Sequence, residues 1–374
     1  MKKVAALICA FLMLILTGIT AFAEEPVLYG PNETLHTQIW NEPEQTDGVK
    51  YGPKIGVDFF CLRPEWESLS NEAISAGMTE QEAHAEATKI LLRKIAEMGY
   101  EGVQYTPWFA WWDIDAAELK ALCEELGLEQ IAPHYGQYLY WSEDEWVRQL
   151  AYLRKAGING ITLDHNTPSQ RVTGDTTAQI TQDDLSKWAK ITIDDLQYLF
   201  DHYEKYGYSD FVVGYHAHSW EFVRIREYGD RNLVEIIYDT FGDKVLLDLD
   251  TAWAATSHSG RSEKLTYPWN KYALGADGLV DYLWENGNMF PWLRLEDVVM
   301  ETGYSTSVGQ GDLNWDEIMN AAMAHGTEWF IVQDHDQDKY NRTILQSLQY
   351  SMDYLNNLYT VHGVQRQLVK EVAD

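Results

Sequence analysis

Eight short apolar runs alternate with helical patterns from Lys54 onward, and this rhythm limits the fold of the chain more than any other feature. The runs are KIGVDFF (54–60), GVQYT (102–106), QIAPHY (130–135), INGITLD (158–164), DFVVGYH (210–216), KVLLDLD (244–250), PWLRLED (291–297) and EWFIVQD (328–334). Between them apolar residues recur every three or four positions, the period of an amphipathic helix. TEQEAHAEATKILLRKIAEMG (79–99) is the first clear case and DAAELKALCEELG (115–127) repeats its design, each closing on glycine. Similar segments follow at 142–157, 182–207, 230–242, 277–287, 313–326 and 342–360. Strand and helix in regular alternation build a parallel sheet, and eight repeats are the number that closes a (β/α)8 barrel. The expected fold class is therefore α/β, a single TIM barrel over residues 54–360. An open doubly wound sheet is the competing architecture, but no Gly-rich phosphate loop follows any of the runs. Three long connections, 61–78, 165–181 and 251–276, each follow a strand's carboxyl end, the face on which barrels build their sites.

The first 23 residues read as a secretory signal peptide: a positive MKK, an apolar AALICAFLMLILTGIT and a small-x-small Ala21-Phe22-Ala23. The apolar stretch is short for a membrane span and ends in a cleavage pattern, so a secreted or extracytoplasmic location is expected. No other long apolar run exists, and no membrane partner is expected once this segment is gone. Residues 24–53 are polar, proline-bearing and without period, a leader segment, and 361–374 form a C-terminal tail. The formal charge is −30, and losing Lys2 and Lys3 takes it to −32. Such a chain repels nucleic-acid phosphates and anionic lipid, and with export this points to a neutral or cationic small molecule as partner, or to none. Cys9 leaves with the signal, and Cys61 and Cys123 are too few for a disulfide framework. The 15 Trp and 23 Tyr suit sugar stacking and a large core equally.

Ionisable side chains gather at the ends of the runs: Asp58, His134, Asp164 and His165, then His216, His218 and Glu221. Asp248 and Asp250 end the sixth run, Arg294, Glu296 and Asp297 the seventh, and Gln333, Asp334, His335 and Asp336 the eighth. Any one of these is more often structural than functional, but together they fall at one end of one barrel. A divalent cation takes carboxylate and imidazole ligands from different strands, and His216 and Asp250 stand at such positions. Strand alternation turns His216 and His218 the same way.

The chain from about residue 54 to 358 resembles the sugar phosphate isomerase/epimerase group of xylose isomerase-like TIM barrels. Relatives in that group include inosose dehydratases, ketose 3-epimerases and lyases or hydratases acting on 3-keto-glycosides. MGYEGVQY (98–105) is similar to the family's second-strand signature, and LKALCEELGLEQIAPHY (119–135) to its helix and third strand, which ends in a histidine at the site. GYHAHSWEF (214–222) resembles the Tyr-His-Asn-His-x-x-Glu-Phe motif with Ala217 in place of Asn. LLDLDTAWA (246–254) looks like the sixth-strand Asp-Thr-x-Trp segment, and the stretch 307–336 like the Val-Gly-Glu-Gly run leading into strand eight.

The resemblance implies proton abstraction next to the carbonyl of a sugar or keto-sugar, by an isomerase, epimerase or lyase, which the signal segment makes an exported one. It implies a divalent metal (Mn, Mg, Co or Zn) on His216, Asp250 and Asp334, with Glu221 or His218 as the base. His134, Tyr135, Trp108, Trp112, Trp253, Arg294 and Gln333 would contact a carbohydrate, the aromatic ones by stacking. A homo-oligomer stays open, since related barrels often pair. Four further positions depart from the pattern. The seventh strand's His-x-Lys-Asp is here LRLED, with Arg294 for the histidine ligand and Glu296 for the lysine; Gln310 stands where a glutamate is usual, and the eighth strand's metal-binding glutamate aligns with Gln333 without a gap or with Asp334 if one residue is inserted. A guanidinium cannot ligate a cation. The metal is then either retained by the remaining groups or lost, with Arg294 supplying charge against Asp250 or an anionic substrate oxygen in a barrel that binds a carbohydrate or another small ligand without catalysis. A metal-free hydrolase using Asp164 with Glu221 or Asp250 is a third reading.

Overall fold

The computed structural model describes residues 50–106, 110–135, 141–163, 171–172, 180–256 and 273–366. The expected signal segment, most of the expected leader, Trp108, Asp164 and His165 lie outside the described residues. Eight parallel strands form one sheet: β1 (Lys54–Asp58), β2 (Gly102–Gln104), β3 (Glu129–Ile131), β4 (Gly160–Leu163), β5 (Val212–Ala217), β6 (Val245–Asp250), β7 (Trp292–Leu295) and, after an inserted hairpin, β10 (Trp329–Val332). The hairpin is β8 (Asp297–Val299) with β9 (Tyr304–Thr306). The strand order is β3-β2-β1-β10-β7-β6-β5-β4. The ring closes between its ends around Pro133. That residue has no N–H to donate, but its carbonyl accepts from Thr162 N at 2.8 Å, and Tyr135 N donates to Thr162 O at 2.9 Å. This is the expected α/β barrel.

Alternation along the strands sorts the side chains. Outward residues such as Ile55, Val57, Leu247, Leu249, Leu293, Leu295, Phe330 and Val332 pack under the helices in the main core. Inward residues at the amino ends form a separate apolar floor of Ile131, Ala132, Trp292, Trp329 and Ile331, with Val212 and Leu246 against it. A Cβ on Gly102 would come 2.6 Å from the Trp329 ring, so glycine is what lets that indole cross the barrel. Trp329→Ala would remove this plug at a cost of about 3–5 kcal/mol.

Ten helices are described: α1 (Arg63–Ser75), α2 (Glu80–Glu97), α3 (Ala116–Leu126), α4 (Glu143–Ala156), α5 (Gln182–Tyr206), α6 (Leu233–Phe241), α7 (Thr251–Thr256), α8 (Gly275–Asn286), α9 (Trp315–His325) and α10 (Ile344–Val361). Capping boxes start five of them, for example Thr79 with Glu82 on α2. The connection 61–78 is not a plain loop. Pro64 near its start favours a helix, and α1 is anchored by Trp66, whose Nε1 donates to Thr88 Oγ1 at 3.0 Å. The connection 251–276 begins with α7.

PWLRLED is also not one strand, because pairing to β6 and β10 stops by Leu295 and Asp297 opens the hairpin. Residues at the two ends of the barrel meet beneath it: Gln365 N donates to Lys50 O at 2.7 Å and Gly52 N to Gln365 O at 3.0 Å. Cys61 and Cys123 are both buried free thiols. Among the described residues no helix is long and apolar enough to cross a membrane.

Candidate active site

Above the apolar floor the barrel interior turns polar, in two layers two residues apart along the strands. Arg294 dominates the lower one. It is fully buried and carries a charge that several kcal/mol of desolvation oppose. One carboxylate about 4 Å away returns roughly 4 kcal/mol at an effective dielectric of about 20, so a single partner would barely balance it. The strands supply more. Nη1 donates to Asp58 and to Gln333 Oε1 at 2.7 Å, and Nη2 to Gln104, to His134 Nε2 at 2.7 Å and to Asp248 Oδ2 at 2.7 Å. Burial opposes the charged form, yet Asp248 and Asp58 outweigh it and raise the guanidinium above its ordinary value.

The two acids respond differently. Burial pushes both up; for Asp58 it prevails over the pull of Arg294 and His134. For Asp248, Arg294 with His216 and His134 holds the carboxyl well below the usual range. His216 Nδ1 lies 3.1 Å from Asp248 Oδ2. Burial and the Arg294 charge push this imidazole down to about 3, so it is neutral and donates from Nδ1. The expected Arg294–Asp250 pair is not formed. Asp250 lies beside Arg294 in strand register, but the long side chain runs down to Asp248 and Asp58 instead.

The upper layer holds His218, Asp250, Glu296, Gln333 and His335. Gln333 joins the layers: its Oε1 accepts from Arg294, while its Nε2 donates to Glu296 Oε2 at 3.1 Å and reaches Asp250 Oδ2 at 3.4 Å. Asp250 Oδ1 accepts from Trp253 N at 3.0 Å. Burial, reinforced by Glu296, pushes Asp250 well above the ordinary carboxyl range. His335 Nδ1 stands 3.9 Å from Glu296 Oε1, with the Phe60 ring 5.1 Å from its own. The His218 ring stacks on Trp220 at 4.8 Å and meets the Trp253 edge at 4.6 Å.

Other expected residues take different places. Glu221 is fully buried and accepts from Tyr215 Oη at 3.0 Å and from His218 N at 2.9 Å, bracing the end of β5. Asp334 turns away from His216 and Asp250. Strand alternation points Gln333 inward, so its successor faces the β8–β9 hairpin and α10, where Ser305 Oγ donates to Asp334 Oδ1 at 3.3 Å and Ser347 to Oδ2. Burial raises Asp334 to about 6.

Asp297 is also structural. It accepts from the backbone N–H groups of Val298, Gly309, Gly311 and Leu313 and from Trp315 Nε1. Tyr135 is buried 6.5 Å from Trp112 and 5.3 Å from Trp141. Gln104, which accepts from Arg294, is a site residue that sequence reading missed. Gln104 was findable, as the inward position two after Gly102.

Two groups of side chains have metal-type spacing, each with ligand atoms within 4.8 Å: His134, His216 and Asp248, and His216, His218 and Asp250. The lower group does not fit a metal, because Arg294 Nη2 already lies on two of its atoms. The upper group does fit. Its donor set is two imidazoles and a carboxylate, and Asp248 fixes the His216 tautomer as a carboxylate behind a ligating histidine does.

A family model described as xylose isomerase-like TIM barrel matches residues 92–357. Among solved structures, a sugar phosphate isomerase/epimerase from Parabacteroides distasonis is 18% identical with a TM-score of 0.53, over 84% of this chain and 98% of that one. The IolI protein with a bound zinc atom is 13% identical, TM-score 0.51, over 73% and 93%. A D-tagatose 3-epimerase-like protein is 14% identical, TM-score 0.50, over 82% and 97%. No curated protein matches this chain. At these identities the structures share the fold.

Proposed function

The chain belongs to the xylose isomerase-like TIM barrel family, and from that premise we propose that it moves a proton at the carbon beside the carbonyl of a sugar or keto-sugar. One observation carries the reading. His218, Asp250 and Glu296 come from three neighbouring strands to the carboxyl end of the barrel, above a lower layer whose guanidinium is already paired. The names of the similar structures, a sugar phosphate isomerase/epimerase and a D-tagatose 3-epimerase-like protein, support the same substrate class.

Glu296 is the group we assign as base. It stands within ion-pair reach of His335, which can pass the proton onward. Glu221 is spent on bracing β5 and is not assigned that role. His218, oriented by Trp220 and Trp253, directs its ring at the substrate oxygen; Trp112, Tyr135 and Trp253 form the apolar wall for the sugar ring. A divalent cation held by His216, His218 and Asp250 would polarise that oxygen. We further propose export after residue 23, checked by N-terminal sequencing of the secreted protein, which should begin at Glu24.

The test is solvent exchange. In D2O, with and without Mn2+, the protein should wash deuterium into the position beside the carbonyl of at least one ketose or 3-keto-glycoside, read by proton NMR. Glu296→Gln should slow that exchange by about 10²–10⁴-fold. An absence of exchange across ketopentoses, ketohexoses and 3-keto-glycosides would refute the reading. Carbohydrate binding by calorimetry without exchange would favour a barrel that binds and does not turn over. The bracing of Glu221, which removes one candidate base, supports that second reading.

A further inference from the structure

The acceptors around Arg294 come from five separate segments: Asp58 on β1, Gln104 on β2, His134 beyond β3, Asp248 on β6 and Gln333 beyond β10. A side chain that filled space or paired with one acid would not draw acceptors from around the whole barrel. Convergent carboxylate and imidazole lone pairs on rigid strands are the donor set of a bound divalent cation. Within this lower layer His134, His216 and Asp248 have that spacing. Arg294 Nη2 is 2.7 Å from the ligand atoms of both His134 and Asp248. The His134 Nε2 that accepts from Arg294 must carry its lone pair there, as a metal ligand would. Asp248 Oδ1, fully buried, has no hydrogen-bond partner among the described residues, and neither has Arg294 Nε: a carboxylate oxygen is left over that a metal ion could take and the guanidinium does not reach.

We propose that Arg294 is a built-in cation: its guanidinium occupies a metal-type donor group and closes the lower layer of the barrel to divalent ions. The assignment is independent of the reaction performed in the layer above. Unlike a metal, this cation cannot dissociate or be chelated, so the charge beneath the upper layer is permanent. Any metal the protein takes must bind higher, away from His134.

The proposal predicts a metal site that appears when Arg294 is removed and that depends on His134. Zn2+ is the probe, since imidazole and carboxylate bind it well. Equilibrium dialysis should show Arg294→Ala binding Zn2+ at least tenfold more tightly than wild type, and the gain should vanish in Arg294→Ala/His134→Ala. In the wild-type background, His134→Ala should leave Zn2+ binding unchanged. A folded Arg294→Ala with no His134-dependent gain would overturn the proposal. If Arg294→Ala is unfolded alone, its circular dichroism and melting transition should recover with Zn2+ or with methylguanidinium. Recovery with neither would also overturn it.

Discussion

Asp334→Asn tests whether the residue after Gln333 serves the site or the scaffold. The Asp334 side chain is 1% exposed and held by Ser305, Ser347 and the backbone N–H of Asp336. Burial outweighs those donors and lifts its pKa from the ordinary 3.8 to about 6. A carboxyl whose folded value lies above its unfolded one favours the fold when protonated. That contribution is complete below about pH 4 and is lost as pH rises through about 6. About two units at 1.36 kcal/mol each amount to about 3 kcal/mol. Asparagine keeps the shape of the neutral acid and does not titrate. Urea unfolding followed by tryptophan fluorescence at about pH 4 and about pH 7.5 gives the two free energies for each protein. The variant should gain about 3 kcal/mol on wild type across that interval. Zn2+ affinity should be equal in the two proteins. A stability difference that does not change with pH would refute the burial argument, and a tenfold loss of Zn2+ affinity would return Asp334 to the ligand set.

Two further expectations rest on burial and on close packing. His216, lowered from 6.5 to about 3, contributes stability that is present above about pH 6.5 and lost as pH falls toward 3. The full span is worth about 5 kcal/mol, so His216→Gln should flatten the acid limb of the melting-temperature profile; an unchanged limb would assign acid sensitivity elsewhere. A Cβ on Gly311 would meet Asp297 Oδ1 at 2.3 Å and Val298 O at 2.6 Å. Gly311→Ala should therefore cost about 1–3 kcal/mol in urea unfolding, whereas a neutral effect would mean the 309–313 segment yields freely.

The barrel was legible because period-2 and period-3.6 patterns report burial, and all eight barrel strands lie at sequence-read runs. What failed was local. The 61–78 connection contains α1, whose helical pattern is weak because few of its residues are buried. PWLRLED ran a strand through Glu296, since nothing in a run of apolar and charged residues marks where ladder pairing ends. Inward positions such as His216, His218, Asp250 and Arg294 could be named from alternation, but alternation fixes a face and not a depth. A long side chain can leave its own layer. Arg294 does so, reaching Asp248 and Asp58 below instead of Asp250 beside it. Asp334 shows the converse: one residue's shift from Gln333 sends a carboxylate to the opposite face of the strand.

Three of the departures in the sequence prove to be one structural change. Arg294, Glu296 and Gln333 stand where the resemblance leads one to expect histidine, lysine and glutamate. In the fold they touch in series, Arg294 Nη1 to Gln333 Oε1 at 2.7 Å and Gln333 Nε2 to Glu296 Oε2 at 3.1 Å. A glutamate at 333 would face Glu296 and Asp250 with no donor between them, a repulsion that burial makes severe. A lysine at 296 would stand above a layer that already holds a guanidinium. Once arginine brings a fixed charge into the lower layer, an amide at 333 satisfies both layers by accepting below and donating above. Each replacement alone would bury an unpaired charge or polar group; together they leave a connected network. The coupling runs through Gln333, whose side chain bonds to both Arg294 and Glu296.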